Sequence, residues 1–158
     1  MPADHQTPPI GSRYKRLGYH ILRILLGLLF LVTGISKALA PLSFRASLQA
    51  YQLTPASLNT PLAALVILVE LAIGSMLLVH LAIRWSSLIA AILLAVFTVA
   101  IVLAWRHGLA IDCGCFLGAQ ERVGPVAIIR DVVLLLLAVL LASYSWRRQG
   151  ALSRAEGV

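Results

Sequence analysis

The sequence predicts an all-α polytopic membrane protein, a four-transmembrane-helix bundle with both termini in the cytoplasm. Three observations predict it. Hydrophobic residues make up 60% of the chain and charged residues 12%, against about 25% charged in a soluble domain. An apolar excess of that size calls for lipid rather than a larger core. Four runs approach the ~20 apolar residues that cross a hydrocarbon layer at ~1.5 Å per residue. The basic residues behind the formal charge of +7 flank these runs instead of forming one polar face. Membrane proteins distribute Lys and Arg in this way, so the charge does not point to nucleic acid. At 158 residues the chain is one domain by length.

Each element has a local justification. Residues 1–12 (MPADHQTPPIGS) lack apolar periodicity and read as a disordered tail before a membrane domain over 13–148. The first span covers about 18–39 (GYHILRILLGLLFLVTGISKAL). Its basic flank and Ala38-Leu39-Ala40 imitate a secretory signal. However, the apolar stretch exceeds a signal's ~7–15 residues and Lys37 stands just before the imitated site, so we read it as a retained span. In the link 41–60, Ser43 can cap a short helix with Phe44, Leu48 and Tyr51 at i, i+4, i+7, until Thr54-Pro55 breaks it. Such a segment suits the membrane interface; an ordinary packed loop is the alternative.

The second span covers about 61–82, the third 84–106 and the fourth 125–146. Pro61 and Pro125 fall in first turns, where the missing N–H costs nothing. Trp85, Trp105 and Trp146 fall at span ends, at headgroup depth. Residues 149–158 likewise lack apolar periodicity and read as a disordered cytoplasmic tail, and no solenoid-type repeat is present.

Orientation follows from the basic residues. Arg13, Lys15, Arg16, Arg23, Arg84, Arg147, Arg148 and Arg154 belong to one side, and Lys37, Arg45, Arg106, Arg122 and Arg130 to the other. The positive-inside rule places the first group in the cytoplasm. Residues 111–118 then face outward, on the oxidising side of a bacterial inner membrane.

Four charges stand inside or at the edge of spans: Lys37, Glu70, Arg130 and Asp131. A charge at the bilayer centre costs ~2.5–3.5 kcal/mol even on the lenient insertion scale, so such groups face the bundle interior and pair. Glu70 lies roughly 13 Å below the outer surface, at ~1.5 Å per residue from Pro61. All four belong to the outer half and sum to zero, and Glu70 is expected to pair with Arg130 or Lys37. They either pin helices together or floor a pocket beneath the cysteine loop, and the two roles are compatible. Gly27, Gly34 and Gly74-Ser75 supply small residues for close helix approach.

Both cysteines lie in "IDCGCFLG" as Cys113 and Cys115, with Gly114 between them. A disulfide needs Cα atoms ~4.4–6.8 Å apart, which i and i+2 reach only in a bent backbone, and glycine bends most readily. Closing so small a ring removes almost no unfolded-state entropy, so a structural staple gains little. Strained, exposed disulfides are the labile ones. Redox exchange is therefore the favoured reading. A metal site using His107 with Asp112 or His80 is a second, though it lacks the C-x₂-C spacing of zinc sites. Inert cysteines in a tight turn are a third. With two cysteines there is no second pair to relay electrons, so an exchanging pair hands over to an outer partner protein, a quinone-like carrier, or both.

Several stretches carry a family resemblance: "RILLGLLFLVTGISKALAPLSF", "YQLTP", "LVELAIG", "DCGCFLG" and "IIRDVVLLLLA". Together they resemble the MauE family of methylamine utilisation membrane proteins, allied to the DoxX-like four-helix proteins. The resemblance covers roughly 20–146, and its most specific parts are the C-G-C motif and the Arg-Asp pair. It implies a role in maturing the small subunit of methylamine dehydrogenase, a disulfide-rich periplasmic protein, beside a thioredoxin-like partner. It implies Cys113 and Cys115 as the redox pair and Lys37, Glu70, Arg130 and Asp131 as the supporting polar set. One departure is that Leu117 separates Phe116 from Gly118, where the family often reads C-G-C-F-G.

Three function classes follow: a membrane thiol–disulfide oxidoreductase component serving exported clients, a non-redox assembly factor, and a small-molecule carrier using a Glu70 pocket. The C-x-C favours the first, because an assembly factor needs no exchangeable pair. A carrier is least favoured, because its spans hold few further polar residues at midplane.

Overall fold

The computed structural model describes residues 10–108 and 124–156. Among the described residues there are five helices and no strand: α1 (Ile10–Leu39), α2 (Pro41–Ala50), α3 (Asn59–Leu78), α4 (Ile83–Arg106) and α5 (Pro125–Glu156). Four are long and apolar enough to cross a membrane, over Leu17–Leu39, Asn59–Leu78, Ile83–Arg106 and Pro125–Arg147. The all-α, four-span membrane architecture is borne out. Leu25, Leu65, Leu68, Ile92, Val96, Ile129 and Leu140 are exposed on the outside of the bundle, where only lipid makes such a surface favourable.

Helix limits depart from the hydropathy limits at their ends. The helix α1 begins at Ile10, so residues 10–12, expected in a disordered tail, are helical, and residues 1–9 lie outside the described residues. The tail from 149, expected to be disordered, is helical as far as Glu156. Elongating an existing helix needs no new nucleus, and the Arg, Gln, Ala and Glu that follow Trp146 are adequate helix formers. In contrast, α3 stops at Leu78, short of 82. His80 (φ 62°) and Ala82 (φ 45°) take left-handed backbone, which ends one helix and turns the chain directly into α4.

The bundle is built from two close pairs, α1 on α3 and α4 on α5, joined by α3–α4 and α1–α5 contacts. Leu26 and Phe30 of α1, Ile73 and Leu77 of α3, Ala90 and Leu94 of α4, and Ala138 and Leu141 of α5 form the central core. Glycines set the α1–α3 approach. A Cβ on Gly74 would stand 2.7 Å from the Leu31 backbone nitrogen and 3.0 Å from the Gly27 carbonyl oxygen. On Gly34 it would meet the flexible Leu71 side chain at 3.0 Å. Gly74→Ala is therefore expected to lower stability by ~1–3 kcal/mol, the usual range for forced backbone shifts, and Gly34→Ala by less. Thermal midpoints in detergent compare them. An unchanged midpoint for Gly74→Ala would contradict so close a helix crossing.

The link between the first two spans is a helix rather than a loop. Its start differs from the expectation: Ala40 occupies the N-cap without a side-chain cap, Pro41 takes the first turn, and Ser43 lies inside. Phe44 and Tyr51 are buried and Leu48 is half-buried. Phe44 packs on Ala63, Val66 and Ile67 of α3, and Tyr51 on Ile101, Ala104 and Ala127 of α4 and α5. The apolar stripe therefore faces the bundle, because the α3 and α4 ends offer it more apolar surface than the interface does. Trp85, Trp105 and Trp146 are about half-exposed at span ends. Trp85 and Trp146 meet edge to face, and the Arg84 guanidinium lies 4.8 Å from the Trp146 ring centroid.

Candidate functional site

The polar set gathers at one end of the bundle, where α1 and α4 finish and α3 and α5 begin. The inward face of α1 recurs at Tyr19, Arg23, Leu26, Phe30, Thr33 and Lys37, all buried, with alternating spacings of four and three. That spacing is the seam of a helix packed along its length. On α3 the same alternation gives Asn59, Ala63, Val66, Glu70, Ile73 and Leu77, again all buried. Lys37 and Glu70 thus face each other because each occupies a seam position at matching depth.

Of the two partners expected for Glu70, the structure gives it Lys37. The ammonium donates to Glu70 Oε1, and the two residues are 6% and 2% exposed, so both charges are withdrawn from lipid and water. Phe44 of α2 and Phe97 of α4 hold the ammonium between them, each ring centroid 5.0 Å from Nζ. An ammonium over two ring faces gains cation–π attraction that strengthens with desolvation. The Arg130 guanidinium donates instead to Asp131 Oδ1, from Nε at 3.2 Å and Nη2 at 3.1 Å. Asp131 is buried and Arg130 half-buried.

The two pairs are not isolated from one another. Asp131 lines, with Thr33, Lys37, Glu70 and Phe97, a cavity of about 30 Å³, the share of one liquid water. Glu70 Oε2 is buried without a protein hydrogen-bond partner, so a water at that spot would meet a ready acceptor. Lys37 and Phe97 also line a larger cavity of about 240 Å³, bounded by α2, α3 and α4. Tyr51 borders it. Burial, with the Asp131 carboxylate adding to it and Arg130 opposing, pushes the Tyr51 phenol up to about 12. It therefore stays protonated over the ordinary pH range.

Lys37, Glu70 and Asp131 are brought together, with Arg130 held on Asp131. Cys113 and Cys115, together with Asp112 and Arg122, lie outside the described residues. The metal alternative loses one of its ligands: His80 precedes α4 and His107 follows it, so a helix of 24 residues keeps them ~36 Å apart. His107 is exposed.

Phe97 and Thr33 are site residues that the sequence reading did not single out, Phe44 and Tyr51 were read only as an apolar stripe, and Arg23 is buried although it was read only as a topological charge. The four–three alternation on α1 was the signal that could have turned Arg23 and Thr33 inward. Nothing comparable marks Phe97, whose place depends on how α4 rotates against α2.

Comparison with known proteins adds the lineage. The family described as "Methylamine utilisation protein MauE" matches residues 15–144. The methylamine utilization protein MauE of Paracoccus denitrificans is 32% identical over 124 residues, covering 77% of this chain and 67% of that protein. No solved structure matches. The matched region contains the first three spans, the fourth as far as residue 144, the intramembrane charges and the segment bearing both cysteines, and the chain belongs to the MauE family.

Proposed function

We propose that this chain is a multi-pass component of the bacterial inner membrane that exchanges disulfides with exported proteins through Cys113 and Cys115. Both termini lie in the cytoplasm and residues 109–123 on the periplasmic side. The client is a secreted thiol protein, reached directly or through a thioredoxin-like partner; the family name points to methylamine utilisation as its setting, with maturation of methylamine dehydrogenase the corresponding task. One observation carries the reading. The segment holding the only two cysteines joins α4 to α5 at the end of the bundle that also holds the Lys37–Glu70 and Arg130–Asp131 pairs.

In the exchange, a client thiolate attacks one sulfur of the Cys113–Cys115 disulfide and the other leaves as a thiolate. The second client thiol then resolves the mixed disulfide. The client loses two electrons and two protons, and this chain ends as the dithiol. Arg106 and Arg122 favour a thiolate near that end of the bundle, Asp112 opposes it, and Lys37 and Arg130 are balanced by Glu70 and Asp131. The Lys37, Glu70, Arg130 and Asp131 set serves as the intramembrane support of this loop.

Topology provides the first test. A membrane-impermeant maleimide is expected to label reduced Cys113 or Cys115 in intact spheroplasts. Labelling only after permeabilisation would place the pair in the cytoplasm and remove the oxidising-side argument.

A further inference from the structure

The 240 Å³ cavity is walled by Phe44 and Leu48 of α2, Val66 of α3, and Val96 and Phe97 of α4; its polar members are Lys37, Tyr51 and Thr54. That volume falls just under the ~300–1,000 Å³ of drug-sized ligand sites. It suits one substituted ring rather than a whole lipid. Val96 is 58% exposed on the lipid-facing side, so the cavity borders the bilayer, and an apolar molecule reaches it without crossing water.

Charge narrows the class of occupant. Lys37 is neutralised by Glu70 and Arg130 by Asp131, so the site offers an anion no net attraction, and the apolar walls penalise any ion. A neutral acceptor is different. An ammonium has three donors, and the Lys37 hydrogen bond described above uses one of them on Glu70. The Tyr51 phenol borders the same space. The walls therefore favour a flat, neutral, lipid-borne ring with carbonyl oxygens.

We propose that this cavity binds the head group of a lipid-soluble quinone, one carbonyl accepting from the Lys37 ammonium, the ring lying against Phe44 and Phe97, and the tail leaving past Val96 into lipid. The binding half stands on the cavity alone. The electron-transfer half rests on the reading of Cys113 and Cys115 as an exchanging pair. In that half the Cys113–Cys115 dithiol gives up two electrons and two protons and closes to the disulfide, and the quinone takes up both to become the quinol. Lys37 holds the carbonyl oxygen on which negative charge develops. The acceptor that a two-cysteine protein lacks in its own chain is then supplied from the membrane, beside the helix ends from which the cysteine segment springs. Cys113 stands 7 residues beyond Arg106, a span of at most ~25 Å of extended chain.

Decylubiquinone and the purified full chain in nanodiscs provide the test. At a hundredfold excess over its Kd, a ligand of the folded state raises the thermal midpoint by roughly 5 °C or more, and dodecane is expected to give no shift. Ala100→Trp places an indole in the cavity and is expected to weaken decylubiquinone binding at least tenfold. Val96→Phe at the lipid-side mouth is expected to weaken it also, and keeps the test decisive where the indole disturbs folding. Absence of a midpoint shift in the wild type, or equal affinity in the wild type and a folded cavity variant, overturns the site. The Cys113→Ser, Cys115→Ser double variant is expected to bind decylubiquinone as the wild type does, whereas only the reduced wild type converts it to quinol. Binding without that conversion overturns the redox reading and leaves the quinone site supported.

Discussion

Cys113→Ser and Cys115→Ser are each expected to abolish thiol exchange while leaving the protein inserted at wild-type levels. A ring closed across one intervening residue constrains the unfolded chain very little, so losing it removes almost no stability. The same small ring is strained when oxidised, and strain raises the reduction potential of a disulfide and makes it exchange readily. On the proposed redox reading, function and stability are therefore expected to separate at these two positions. One single variant is expected to accumulate a mixed disulfide. The remaining thiolate attacks a disulfide of an oxidised client or thioredoxin-like partner, and one sulfur of that disulfide leaves as a thiolate. This chain then lacks the second cysteine that would resolve the adduct. Asp112 adjoins Cys113 in sequence and disfavours its thiolate, which slightly favours Cys115 as the expected attacking group. The client or thioredoxin-like partner is then identified by non-reducing electrophoresis and mass spectrometry of the trapped species. Full activity in the double variant would exclude redox exchange and leave the non-redox assembly factor as the reading.

Glu70→Ala carries the largest expected loss of stability. It leaves the Lys37 ammonium buried between Phe44 and Phe97 without its counter-ion. Removing one partner of a buried pair costs ~3–5 kcal/mol, a large share of the ~5–15 kcal/mol that holds a typical domain folded. Membrane levels and the thermal midpoint are both expected to fall. The double replacement Lys37→Met, Glu70→Leu removes both desolvation penalties and is expected to recover most of the loss. That recovery separates an ion pair from two independently important side chains. Wild-type stability in Glu70→Ala would mean that the carboxylate does not balance Lys37.

The spans were legible because membrane insertion sums a transfer free energy over neighbouring residues, and that sum is a local property. Pro61 and Pro125 in first turns and the three tryptophans at span ends were legible for the same reason. The inward direction of Glu70 and Lys37 was legible from the cost of a charge facing hydrocarbon. The limits of α3 were not. Its early stop depends on left-handed backbone at His80 and Ala82, neither of which is the glycine that would announce it. The α2 stripe was read correctly in its periodicity, but its placement on the bundle was decided by apolar surface contributed from α3 and α4.

From the sequence alone come the membrane class, the four spans, the family resemblance and the set of intramembrane charges. Only the tertiary structure decided that Glu70 takes Lys37 rather than Arg130, that Arg130 turns to Asp131, and that two phenyl rings enclose the ammonium beside a cavity. Those outcomes depend on the rotation and relative depth of helices far apart in the chain. The α1–α3 register follows from how closely Gly74 lets its backbone approach that of Gly27 and Leu31. A hydropathy sum contains no information about such a crossing, because it is indifferent to which face of a helix meets which neighbour.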